Sequence, residues 1–108
     1  MPYVAVYFNT HQDHFSGYKH GHAVCKVFSY DAPASSGLDD LAEEAFAAFN
    51  APLESLDPAY RSIAEGYRAA GNRSLSVGDV LCIGDAWLAC ATYGWVQVDE
   101  APIEVDDD

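Results

Sequence analysis

The chain has 108 residues, half of them apolar and 14 aromatic, with 17 acids against five Lys and Arg for a formal charge of −12. That length suits one domain, and the apolar content is enough for a core, so disorder of the whole chain is excluded despite the charge. The acidity excludes general affinity for nucleic-acid backbones, which requires a basic surface, and no apolar run approaches the roughly 20 residues of a bilayer span.

In chain order, residues 2–9 alternate with apolar groups on both faces, as in a strand covered on both sides. No basic n-region precedes them, so they read as a first strand and not a leader, and a cytoplasmic protein is expected. Residues 10–22 are polar, punctuated by glycine, and read as a loop. Residues 23–30, rich in β-branched and aromatic side chains, predict a second strand. Ser36 and Asp39 form a candidate capping box. Beyond it Leu38, Leu41, Ala42, Ala45, Phe46 and Phe49 recur at helical spacing, ending near Asn50 before Pro52. A second helix is signalled by Asp57 as N-cap, Pro58 at the first helical position, the stripe Tyr60, Ile63, Ala64 and Tyr67, and the closing pair Gly71-Asn72.

The last third reads as a meander: 80–83, a Gly84-Asp85 turn, 87–92, a Tyr93-Gly94 turn, then 95–98. The expected fold class is α+β, an antiparallel sheet of about five strands in the order β-β-α-α-β-β-β with two helices packed on it. Residues 1–98 form the single domain. Residues 99–108, with six acids, are expected to be a flexible tail.

Two constellations could carry chemistry. All four histidines, His11, His14, His20 and His22, lie within twelve residues and are followed by Cys25, a donor set suited to zinc. No standard finger or ribbon spacing is matched, so solvated loop histidines, a pH-responsive loop and a metal site all remain open. The second constellation is Arg73, Ser74 and Ser76. An Arg fork with two hydroxyls could bind a carboxylate or phosphate, or the same groups could clamp an acidic side chain and satisfy a tight turn. Cys25, Cys82 and Cys90 contain no Cys-x-x-Cys pair and read as buried free thiols. Trp87, Trp95, Tyr93 and Tyr3 read as core and sheet-face packing. No nucleophile elbow, Ser-x-x-Lys pair or phosphate loop is present, so no catalytic residue is assigned.

The run Arg73-Ser-Leu-Ser-Val-Gly-Asp-Val80, the hairpin that follows with its Ala-Cys-Ala, and the Gly94-Trp95 pair resemble a group of small uncharacterised proteins of actinobacteria, their plasmids and phages. Tyr18-Lys-His-Gly-His22 and the Phe46-x-x-Phe-Asn50 helix end are similar to the same group. A similar box occurs in domains of phage and conjugative-element proteins. The resemblance implies a mobile-element setting and transfers no activity. The leading expectation is therefore a non-enzymatic accessory or regulatory module that binds a protein, with the acidity permitting a basic one. The alternatives are an acidic mimic of nucleic acid that inhibits a DNA-binding enzyme, and a small-ligand or zinc-binding domain built on the 11–25 loop.

Overall fold

The computed structural model describes residues 3–11, 17–19, 21–33 and 37–105. Strands β1 (Tyr3–Asn9) and β2 (Ala23–Asp31) are followed by α1 (Leu38–Asn50), a 3-10 turn at Leu53–Ser55, α2 (Pro58–Ala69), and strands β3 (Val80–Ile83), β4 (Ala86–Cys90), β5 (Trp95–Val98) and β6 (Ile103–Glu104). The fold is α+β, with two helices and one sheet ordered β5-β4-β3-β1-β2-β6. Each neighbouring pair is antiparallel except β2 with β6, which is parallel.

The two faces of β1 account for the architecture. Val4 and Val6 point into a core shared with Leu41, Ala45 and Phe49 of α1, Tyr60 and Tyr67 of α2, and Leu81, Ile83 and Leu88 of the meander. Phe49 stacks on Tyr67 at 4.0 Å between centroids, and Phe28 meets both rings edge-on. Such pairs are worth about 0.5–1.5 kcal/mol each beyond the area they bury. On the opposite face Ala5 and Tyr7 join Val24, Val80 and Ala89 in a second cluster against which Tyr18, Trp87 and Val98 pack.

Local chemistry sets the helix ends. Asp57 caps α2 by accepting a hydrogen bond from the Ala59 N–H at 2.9 Å, with Pro58 beside it, and Gly71 leaves the helix at φ 86°. Helix α1 differs from the capping-box expectation. Its N-cap is Gly37, which offers no side-chain acceptor, and Ser36 lies outside the described residues. Asp39 and Asp40 occupy the first turn, where the helix dipole favours them.

Two further details depart from the expectations. A sixth strand exists, drawn from the stretch 99–108: Ile103 and Glu104 pair with Ala23 and Val24, and the Val105 N–H donates to the Val24 carbonyl at 2.9 Å. Pro102 is buried beside this strand. Residues 106–108 lie outside the described residues. Of the four aromatics expected to pack, Trp87 contacts Tyr7 and Trp95 contacts Phe46, but Tyr3 is half exposed and Tyr93 is 92% exposed. Tyr93 sits at the tip of the β4–β5 turn, beyond the reach of either core. Among the described residues, no helix is long and apolar enough to cross a membrane.

Candidate functional site

The candidate site lies where the C-terminal end of β1 meets the entry to β3, and its centre is a buried carboxylate. Asp79 is fully buried, which a charge tolerates only when paired and hydrogen-bonded. Its Oδ1 accepts from the Asn9 N–H at 2.9 Å and from Arg73 at 3.0 Å. Its Oδ2 accepts from Arg73 at 2.7 Å and from the Ser76 N–H at 2.9 Å. The Arg73 fork is therefore bidentate on Asp79, the geometry that makes arginine–carboxylate pairs strong. Asp79 raises the Arg73 guanidinium further above its ordinary range, against partial desolvation.

The same guanidinium donates to the Ser74 carbonyl at 2.9 Å and lies 3.9 Å over the Phe8 ring. Its backbone carbonyl accepts from the Tyr67 hydroxyl. Burial, then the Asp79 carboxylate, pushes that phenol above its usual range, with Arg73 pulling the other way.

Residues 73–79 build this clasp. Ser76, Val77, Gly78 and Asp79 form a turn closed by Asp79 N–H to the Ser76 carbonyl at 3.0 Å. Gly78 at φ 95° supplies the positive dihedral that a type II turn needs at its third position. Leu75 is buried, and its backbone exchanges two hydrogen bonds with the Asn50 side chain at 2.8 and 2.9 Å, tying the run to the end of α1. Gly78 N–H donates to the Cys90 carbonyl and Cys90 N–H to the Asp79 carbonyl, both at 2.8 Å, so two residues oppose one in a β-bulge that opens the β3–β4 pairing. The Cys90 thiol is pushed up to about 11, first by burial, then by Asp79 and Glu43.

Asn9 carries the network into the histidine loop. Its amide nitrogen donates to the Gly78 carbonyl at 3.0 Å and reaches His22 Nδ1 at 3.1 Å, while its carbonyl oxygen accepts from the His11 N–H at 2.8 Å. His22 is buried. Its Nδ1 faces a second donor, the Lys19 N–H at 3.3 Å, and its ring stacks on His11 at 4.1 Å.

Of the five residues considered for zinc, His11 and His22 thus come together as a stack, with His22 Nδ1 turned to protein donors. Cys25 belongs to the opposite face of the sheet, because Val24, its neighbour in β2, lies in the second cluster, and Cys25 pairs with Phe8. His14 and His20 lie outside the described residues. Among the described residues, no group of three or more His, Cys, Asp or Glu converges as a metal-binding set. Of the three residues considered for an anion, Arg73 and Ser76 meet at Asp79, and Ser74 contributes its carbonyl.

Asn9 and Asp79 were not among those candidates. Asn9 was detectable, since it falls in the Tyr3, Ala5, Tyr7 series of β1 and sets a polar group on an apolar face. The carboxylate that Arg73 would choose among 17 acids could not be read from spacing. Comparison of the chain with protein-family models, curated proteins and solved structures found no match.

Proposed function

We propose that this chain is a non-enzymatic acidic accessory or regulatory module that acts by binding a protein. The observation that carries the reading is the segregation of charge along the chain. Residues 27–60 and 74–108 contain 15 of the 17 acids and no Lys, Arg or His. Those stretches include α1 and the β3–β5 meander, which adjoin through Phe46 and Trp95, along with parts of β2 and α2 and strand β6. The cations lie instead in the 17–26 region, in α2 and in the clasp, where Arg73 is engaged by Asp79. Helix α1 carries Asp39, Asp40, Glu43 and Glu44 and no Lys, Arg or His of its own, an arrangement that attracts and orients a basic partner. The clasp supports the same reading, because an Arg fork already bonded to a buried carboxylate has little left for a substrate anion. A phage or mobile-element setting is part of this proposal, and the resemblance of the 73–80 run is what supports it.

The test is selection of a displayed random-peptide library on the immobilised chain, followed by calorimetry of the enriched peptides at low and high salt. Enrichment of cationic sequences whose affinity falls as salt rises is the expected result. Failure to enrich them overturns the reading. Competition with duplex DNA for a DNA-binding enzyme, without peptide enrichment, would assign the acidity to mimicry instead.

A further inference from the structure

The two edges of the sheet are treated differently. On the β2 side, the register slips between Val6 and Tyr7, leaving Val27 as an extra residue. Exposed Lys26 follows that irregularity in space, and β6 covers the start of the strand. Bulges, an edge lysine and a covering segment are the usual means of preventing a further strand from pairing. β5, Trp95-Val-Gln-Val98, has none of them: no charge, no proline, no bulge, and no outer neighbour among the described residues.

The direction of its backbone groups follows from β4. Cys90 uses both its N–H and its carbonyl toward Gly78 and Asp79, on the β3 side. Its pairing with Trp95 is then of the non-hydrogen-bonded kind, so the N–H and carbonyl of Trp95 point away from the sheet, and by alternation so do those of Gln97.

A groove runs along this edge. Gly37, Leu38, Asp39, Asp40, Leu88 and Gln97 line one part of it. Glu43, Phe46, Cys90 and Trp95 lie in the next, where Phe46 and Trp95 meet edge-to-face. On the helix side an added strand would face Asp39, Asp40 and Glu43. On the other side it would lie beside Val96, 56% exposed, and Val98.

We infer that β5 is a docking edge for an extended segment of a partner protein that alternates Lys or Arg with β-branched residues. The segment adds antiparallel or parallel to β5, its cations over the α1 carboxylates and its apolar residues beside Val96 and Val98. Main-chain bonds to Trp95 and Gln97 give affinity, and the two-residue period gives specificity. A second copy of this chain is the poorer occupant, since two molecules of charge −12 repel and β5 itself supplies no cation. The inference rests on the protein-binding reading and adds to it the surface and the chemistry of the partner.

The probe is a blocked synthetic peptide alternating lysine with valine. The control has the same composition with lysines and valines in separate blocks. Titration is followed by amide chemical shifts and hydrogen exchange. The expected result is slowed exchange at Trp95 and Gln97 and binding of the block peptide on the order of tenfold weaker. Gln97→Pro removes an N–H that the fold does not use and should abolish binding while circular dichroism and melting stay near wild type. The triple variant Asp39→Asn, Asp40→Asn, Glu43→Gln keeps the edge and should weaken binding about tenfold, most visibly at low salt.

Equal affinity for the two peptides, no binding of the alternating one, or undiminished binding by a folded Gln97→Pro variant overturns the inference. Self-association of the wild type that Gln97→Pro reverses would give the edge to a second copy and overturn it too. Cationic sequences from the library selection that shift residues elsewhere would overturn this surface and leave the protein-binding reading intact.

Discussion

The clasp at the end of β1 and the α1–β5 groove are both acidic, and they handle charge in opposite ways. At the clasp, one carboxylate is fully buried, and Arg73, Asn9 and Ser76 all donate to it. At the groove, Asp39, Asp40 and Glu43 line an open surface beside backbone groups that point outward. A charge that the chain satisfies internally contributes to holding the fold. Charges left in solvent add little to stability and are available to another molecule. The same residue type thus serves architecture at one site and, on the proposed reading, recognition at the other.

The contrast can be broken most severely at Asp79. Asp79→Ala leaves the Arg73 fork and the Asn9 and Ser76 N–H groups facing a void, and we expect a loss of about 3–5 kcal/mol, measured by urea unfolding. If the loss is below about 1 kcal/mol, the clasp is no different from a surface pair. Arg73→Ala should cost nearly as much, about 3 kcal/mol, because it leaves the fully buried Asp79 carboxylate without its counter-charge. Arg73→Lys should recover only part of this, since an ammonium cannot fork. Tyr67→Phe deletes the bond to the Arg73 carbonyl and should cost about 1 kcal/mol.

Smaller effects are expected at the groove. Asp40→Asn and Glu43→Gln should change stability by no more than about 0.5 kcal/mol, because the lost attraction of Asp40 to the helix N-terminus opposes the relief of repulsion. A larger loss would mean that these carboxylates hold the fold as Asp79 does.

The thiols provide a pH-dependent check. Cys90 holds its proton to about 11 when folded, against an ordinary value of 9.0, so the folded state binds that proton more tightly. Its contribution is present below about 9 and is lost as pH climbs toward about 11. Alkylation of the native protein at mildly alkaline pH should therefore reach buried Cys90 later than the partly exposed Cys82.

The elements whose signals are local could be read from sequence. Asp57-Pro58 announces α2 because the cap and the proline act within one turn. The Gly84-Asp85 hairpin is legible because Gly84, at φ 60°, fits the turn itself. β6 was not legible, because two residues carry no period and only contact with Ala23 and Val24 makes them a strand. The clasp was half legible. Arg73, Ser76 and Gly78 stand within one short run, but Asn9 arrives from a separation of 70 residues along the chain to Asp79.

The unlike edges also bear on stoichiometry. With Lys26, the bulge and β6 on one flank and β5 the open edge on the other among the described residues, the inferred strand addition has a valence of one. A ribbon of repeated units needs two compatible flanks. Complexes formed through this sheet should therefore close at one partner per chain and not lengthen with concentration.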